Sequence, residues 1–381
     1  MTREKATVKQ FLKSVICSIA ILIVVSSGQA QQGLSQKQDE IYYENQAQIY
    51  YKRGDVDQAI LLLKKALEIN PKYATAYNGL GFIYDARKNY DQAIENFTKA
   101  IAIDPNFLDA YLRRGNIYVD QKKDFDKAIA DYSKIIELNP QIPIAFFGRG
   151  FAFKSKGDFD RAIADYTKAI SLNPKFFVAY DNRGVVYARK QKYDLAIADF
   201  TNAINLNPNF AFAYNNRGQA FSDKGDYDKA IPDLNKAIEL NPKNPEAYSI
   251  RGVAYSKSGN SAKALSDHNY AISLFPNEPG FYLNRSETFS RLGQYKEAIA
   301  DCDKAISLNP QLADAYLNRG LDYGKSGNLA QAIADFTKFT SFDPSNPRGY
   351  RERAIAYQKS GDKVKSMADN KKANELEGKS K

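Results

Sequence analysis

From about residue 40 onward, apolar and small residues recur at intervals of three and four, in two stretches per 34 residues. That spacing marks one face of an α-helix, so each 34-residue unit predicts two amphipathic helices. Numbering positions within the unit, helix A runs roughly over positions 2–14 and helix B over positions 17–30. Position 8 is small throughout: Ala47, Gly81, Gly115, Gly150, Gly184, Gly218, Gly252, Ser286, Gly320 and Ala354. Position 20 is alanine in every unit until Ser366. Rings concentrate at positions 4, 11 and 24, as in Tyr180, Tyr187 and Phe200. Small side chains at positions 8 and 20 let the two helices approach, and the rings fill the space around that contact. Position 15 is glycine in seven units, including Gly157, Gly225 and Gly327, and supplies the turn between the helices.

A proline closes each unit but the last, at Pro71, Pro105, Pro140, Pro174, Pro208, Pro242, Pro276, Pro310 and Pro344, with one step of 35. The residue before a proline disfavours the α region, so the Asn-Pro or Asp-Pro step ends helix B. A fixed period of this length means stacked repeats, each burying its apolar face against its neighbours. Ten units follow: 40–73, 74–107, 108–142, 143–176, 177–210, 211–244, 245–278, 279–312, 313–346 and 347–380. The third carries an extra residue near Gln121–Phe125, which predicts a longer inter-helix turn. Pro232 lies inside helix B of the sixth unit and predicts a kink. The last helix is polar, with Ser366 and Asn370 at core positions, and reads as the solvated cap of the stack.

These residues resemble the tetratricopeptide repeat (TPR). The second unit carries its pattern as Tyr77, Leu80-Gly81, Tyr84, Ala93, Phe97, Ala100 and Pro105. The resemblance extends over residues 40–380 and implies an all-α superhelix (α-solenoid) of about ten helix-turn-helix repeats. It also implies that helix A lines a concave face, the family's usual ligand surface. The carboxylate clamp of TPR co-chaperones is absent, because no unit has lysine at position 2 or 5.

The family prefers leucine at position 7, whereas units three to ten carry Arg114, Arg149, Arg183, Arg217, Arg251, Arg285, Arg319 and Arg353. Position 23 is aspartate in the same units: Asp131, Asp165, Asp199, Asp233, Asp267, Asp301, Asp335 and Asp369. The first two units lack both, with Gln46 and Leu62, then Leu80 and Asn96. Two positions that switch together predict a salt bridge between helices A and B, repeated along the stack. Solvated surface and shared descent of these units are the alternatives.

Positions 2, 5, 6, 9, 12 and 13 should face the groove. Position 6 is asparagine at Asn45, Asn182, Asn216, Asn284 and Asn318. An amide both donates and accepts, so it can match the backbone of an extended peptide whatever its sequence. The row is similar to the asparagine ladder of some TPR superhelices; a solvated polar face is the bland reading. Apolar groove positions hold Phe82, Phe147, Phe151, Val185 and Phe212, then Leu283, Leu317 and Leu321, either as a binding patch or as packing between repeats. Position 13 is basic at Lys257, Arg291, Lys325 and Lys359, a row that could attract an acidic segment or simply be solvated.

Net charge is +10; residues 1–30 hold Arg3, Lys5, Lys9 and Lys13 against Glu4, leaving +7 for the rest. No dense Lys/Arg run or nucleic-acid motif is present, which argues against nucleic acid as partner. The first thirty residues have a basic stretch, an apolar run from Val15 to Val25, then Ser26-Ser27-Gly28-Gln29-Ala30. This is the layout of a secretory signal cut after Ala30, because so short a run is below the roughly 20 residues that span a bilayer. An uncleaved membrane anchor is the alternative. Residues 31–39 read as a flexible lead. The expected location is periplasmic or secreted, with Cys302 as the one cysteine left after cleavage.

Catalytic chemistry is missing. His268 is the sole histidine, at ring position 24, and Cys302 occupies the same position one unit later. There is no nucleophile motif, phosphate loop or cysteine pair, so neither cofactor nor metal is expected. The sequence points to a non-enzymatic exported scaffold that binds a protein or peptide partner in its groove. The alternative is a membrane-anchored envelope factor working through its outer faces.

Overall fold

The computed structural model describes residues 31–378. These form twenty α-helices and one π-helical turn, with no strand among the described residues. The chain divides into two compact units after Pro208. The first holds α1 (Gln31–Lys52), α2 (Val56–Ile69), α3 (Ala74–Ala86), α4 (Tyr90–Ile103), α5 (Leu108–Ile117), α6 (Phe125–Leu138), α7 (Pro143–Lys156), α8 (Phe159–Leu172), α9 (Phe177–Arg189) and α10 (Tyr193–Leu206). The second holds α11 (Ala211–Lys224), α12 (Tyr227–Leu240), α13 (Pro245–Lys257), α14 (Ser261–Leu274), α15 (Pro279–Arg291), α16 (Tyr295–Leu308), α17 (Ala313–Lys325), α18 (Leu329–Phe342), α19 (Pro347–Ser360) and α20 (Lys363–Gly378). Odd-numbered helices are helix A of a repeat and even-numbered ones helix B. Within each unit every helix packs on its sequence neighbours, and A helices also touch the A helices of adjacent repeats. This is the all-α stack of helical hairpins that the period predicts.

Local chemistry sets the boundaries. The turn residue at position 15 is left-handed, with φ of 83° at Gly157 and 89° at Gly225. Lys88, Lys123 and Gln191 adopt the same region in the three repeats without this glycine. Helix B is capped where an Asp or Asn side chain accepts from a first-turn amide, as Asp158 does from Arg161 at 3.2 Å. At the other end the residue before each repeat-closing proline, most often asparagine, leaves the helical region, as Asn173 does at φ −136° and ψ 90°. Its side chain then accepts from the amide two residues on, 3.1 Å to Lys175 and 3.0 Å from Asn309 to Gln311. In the second unit the position-4 tyrosine donates back to the proline carbonyl, as in Tyr282 to Pro276 at 3.0 Å and Tyr316 to Pro310 at 3.1 Å. The Asn-Pro step thus ends one helix and orients the next.

The core lies where helices A and B cross. A Cβ on Gly184 would sit 2.7 Å from the Phe200 ring, and one on Gly320 2.7 Å from Phe336. Only glycine admits a ring at that distance. Contact between repeats falls on positions 3 and 10, where Ala76, Ala110, Ala145, Ala152 and Val186 are all buried.

Several expectations change. Residues 31–39, read as a flexible lead, fall within α1, which starts at Gln31 and is the longest helix among the described residues. The extra residue of the third repeat does not lengthen the turn itself. It is absorbed by a π-helical widening at Tyr118–Lys122, after which Lys123 turns at φ 55°. The final helix is sealed by Arg351, which donates to Asn374 at 2.5 Å and Glu377 at 2.7 Å. The segment read as a secretory signal lies outside the described residues. Among the described residues no helix is long and apolar enough to cross a membrane.

Candidate functional site

Three residues from two repeats build the arginine clamp. Arg183 donates from Nε and Nη2 to the two carboxylate oxygens of Asp199, both at 2.8 Å. Arg217 grips Asp233 in the same way at 2.7 and 2.8 Å, and Arg319 grips Asp335 at 2.9 and 2.7 Å. The arrangement repeats from Arg114–Asp131 to Arg353–Asp369. The aspartates are buried, Asp199 at 4% and Asp335 at 5% exposure. Each guanidinium also stacks near the position-4 ring one turn earlier, as Arg183 does over Tyr180 at 5.7 Å. The hydrogen bond to Asp335 holds the Arg319 guanidinium above its usual range.

The remaining Nη1 reaches the preceding repeat. It donates to Thr98 from Arg114 (2.8 Å), to Thr167 from Arg183 (2.8 Å), to Asn269 from Arg285 (2.6 Å) and to Asp303 from Arg319 (2.5 Å). This third partner was not anticipated, yet position 25 carries its signal. It is Thr, Ser, Asn or Asp before every arginine-bearing repeat and Lys64 before the repeat that has Leu80 instead. Within each unit the arginine therefore fixes the hairpin angle of its own repeat and the register against the one before. The first unit adds an outer row, including Arg87–Asp57 at 2.6 Å and Lys190–Asp160 at 2.5 Å. Its aspartates are largely solvated, so each pair contributes at most about 1 kcal/mol.

His268 fills a ring position and is fully buried, with neither ring nitrogen hydrogen-bonded. Burial, aided by Arg285 and opposed by Glu287, pulls its pKa from 6.5 down to about 4. Between those values the unfolded chain binds the extra proton, so stability is complete above about pH 6.5 and falls as pH drops toward 4. The loss approaches about 3 kcal/mol at the acid end. Replacing His268 by phenylalanine, the residue at this position in the fifth and ninth repeats (Phe200 and Phe336), should remove that slope. Urea midpoints at neutral and acid pH for both proteins measure it. Burial pushes the Cys302 thiol up to about 12, which suits a core residue and not a nucleophile. Among the described residues no group of three or more His, Cys, Asp or Glu side chains could hold a metal ion.

The groove residues separate into two kinds. Phe147 is core, not groove: it is 3% exposed, with its ring 5.0 Å from Phe176 and 5.7 Å from Tyr166. Asn182 is also closed off, at 1% exposure. Its amide donates to the Val178 carbonyl at 3.0 Å and accepts from Lys154 at 2.6 Å. The same Lys154 ammonium lies 4.4 Å from the Phe151 ring centre, covering a half-buried phenylalanine. Leu317 is core as well. Phe212 is half-buried against Phe210, Asn45 is exposed and Asn318 is half-buried. The basic row at position 13 is largely answered from within. Lys257 and Arg291 both face Glu287, and Lys325 lies 3.7 Å from Asp322.

In the second unit Asn216 and Asn284 share one open cleft of about 340 Å3. Helix α11 contributes Asn215, Asn216 and Gln219; α13 contributes Glu246, Ser249 and Ile250; α15 contributes Phe281 and Asn284. Asn284 donates to Ser249 at 2.9 Å, which ties one wall to the next. Asn215 is 6% exposed and its Oδ1 has no hydrogen-bond partner. Asn215, Gln219 and Glu246 occupy groove-facing positions 5, 9 and 2, where the sequence had singled out only apolar residues. The cleft therefore presents amide donors and acceptors above an apolar floor of Ile250 and Phe281.

Family models described as TPR repeat match residues 47–86, 187–225, 218–259 and 287–327. Models described as tetratricopeptide repeat match 74–107 and 143–176, and 108–142 and 313–346. No curated protein is significantly similar to the chain. Among solved structures, the APC/C hetero-tetramer Cut9–Hcn1 is 17% identical with TM-score 0.57, over 79% of this chain and 59% of that one. This chain thus spans less than two thirds of that relative. A tetratricopeptide repeat protein from Parabacteroides merdae is 22% identical with TM-score 0.56, over 65% of this chain and 98% of its own. Yeast Tom70 is 16% identical with TM-score 0.50, over 90% and 92%. At these identities the likeness is one of fold. With repeat models matching along both units, the chain belongs to the tetratricopeptide repeat family, whose stacked hairpins serve as protein-interaction scaffolds.

Proposed function

We propose that this chain is an exported, non-enzymatic scaffold that holds an extended peptide segment of a partner protein along the helix-A face of its second unit. The observation that carries the reading is the convergence of Asn215, Asn216, Gln219 and Asn284 on one open cleft. Amides from the sixth and eighth repeats can pair with the N–H and C=O groups of an extended chain, so affinity comes from backbone and specificity from what lies between. The orphaned Oδ1 of Asn215 supports this, because a buried acceptor without a donor is costly unless something arrives to satisfy it. Export rests on the leader-like layout of residues 1–30, and N-terminal sequencing of the mature protein should begin at Gln31.

Selection of a random dodecapeptide library on the purified full chain tests the binding. Enriched peptides should lose roughly tenfold or more in affinity when Asn216 and Asn284 are both changed to alanine. They should protect backbone amides of α11, α13 and α15 from hydrogen exchange. Peptides that bind the double variant equally well would place recognition elsewhere.

A further inference from the structure

Glu246 stands in the first turn of α13 and forms one wall of the cleft. Among the described residues its carboxylate faces no cation, while the next acidic groove residue, Glu287, is taken by Lys257 and Arg291. The N-terminus of α13 offsets part of the charge but supplies no counter-ion. Beyond Gln219, one turn further along α11, Asp223 accepts only from Gln219, at 2.6 Å. Partial desolvation raises the pKa of Asp223, which stands exposed outside the cleft lining. The cleft thus holds one carboxylate without an ion pair, Glu246, beside an apolar surface of Ile250 and Phe281 and the open acceptor of Asn215, with Asp223 adding negative charge one turn beyond the lining.

We infer that the segment held in this cleft carries a lysine or arginine side chain, whose charged end pairs with Glu246 while its aliphatic stem lies on Ile250 and Phe281. The inference rests on the peptide-binding reading above and adds the chemistry of the occupant. A long cationic side chain fits both features at once, with methylenes for the apolar floor and N–H donors for the carboxylate. An acidic segment would meet Glu246 and Asp223 as like charges, which selects against it. An uncharged segment would leave the carboxylate desolvated without return.

The test uses the same dodecapeptide selection on the full chain, run in parallel on Glu246→Gln and Glu246→Lys. Peptides enriched on the wild type should share a lysine or arginine at one fixed position. One such peptide, labelled with fluorescein and followed by anisotropy, should bind Glu246→Gln roughly fivefold more weakly at low salt. The difference should shrink in half-molar salt as the charges are screened. Selection on Glu246→Lys should exchange the basic residue for aspartate or glutamate. Peptides that depend on Asn216 and Asn284 yet show no basic preference and ignore both Glu246 variants would overturn this inference and leave the peptide-binding reading intact. Enriched peptides indifferent to the two asparagines, or no enrichment at all, would overturn both.

Discussion

Replacing Asp301 by alanine should cost about 3–5 kcal/mol, because it leaves the Arg285 guanidinium in a mostly buried site without its counter-charge. Arg285 currently gives two hydrogen bonds to Asp301, at 2.8 and 2.6 Å, and a third to Asn269 at 2.6 Å. With the side chain 21% exposed, water recovers only part of the loss. Arg285→Leu should be similarly damaging, since Asp301 is then a buried carboxylate with no cation. The double variant Arg285→Leu, Asp301→Asn is expected to lie within about 1 kcal/mol of the wild type. The second repeat already holds that solution: Leu80 stands at the arginine position, and Asn96 satisfies itself by donating to the Gln92 carbonyl at 2.7 Å. Urea unfolding of the three variants gives the coupling, and hydrogen exchange in α15 and α16 locates it. Additive losses would show that the pair acts as two independent surface residues.

The same clamp shows what a sequence can and cannot carry. Arg and Asp were legible as partners because both change together in the first two repeats, and a co-varying pair needs only periodicity to be seen. The third partner at position 25 was missed because four residue types share its role, so the position shows a chemistry and not an identity. Helix boundaries were legible for a similar reason: Asn-Pro steps and left-handed glycines act locally. Depth in the groove was not. Phe147 and Asn215 occupy the same position 5, yet one is core and the other lines a cleft. A helical position fixes the direction of a side chain; the neighbour decides whether it reaches solvent. Phe176 closes over Phe147, and Lys154 covers both Phe151 and Asn182. Those covering residues lie in other helices or one turn away, and the repeat pattern says nothing of their rotamers. The insertion in the third repeat failed for another reason, since a helix can take up one residue by widening a turn as readily as a loop can.

Phe336→Ala should also cost about 3–5 kcal/mol, from loss of a ring that is 2% exposed. The position facing it allows a sharper experiment. A Cβ on Gly320 would stand 2.7 Å from Cε1 of Phe336 and 3.2 Å from the Asp335 Cβ, so Gly320→Ser overfills the crossing and should cost about 1–3 kcal/mol. Adding Phe336→Cys to Gly320→Ser should recover a large part of that loss, not deepen it. The chain already contains this exchange: where position 8 is Ser286, position 24 is Cys302, and both are fully buried. Likewise Ala47 faces a repeat with Leu63, whereas glycine stands opposite Phe97, Tyr132, Tyr166 and Phe200. In these repeats a smaller residue at position 24 goes with a larger one at position 8, whereas Gly218 keeps glycine opposite Leu234. The same exchange recurs between repeats, where Gly349 makes room for Phe339 at a place that other repeats fill with two alanines. Thermal and urea unfolding of Gly320→Ser, Phe336→Cys and their combination measure the coupling. A combined loss equal to the sum of the two single losses would mean that ring and glycine are set independently, and that backbone conformation alone dictates position 8.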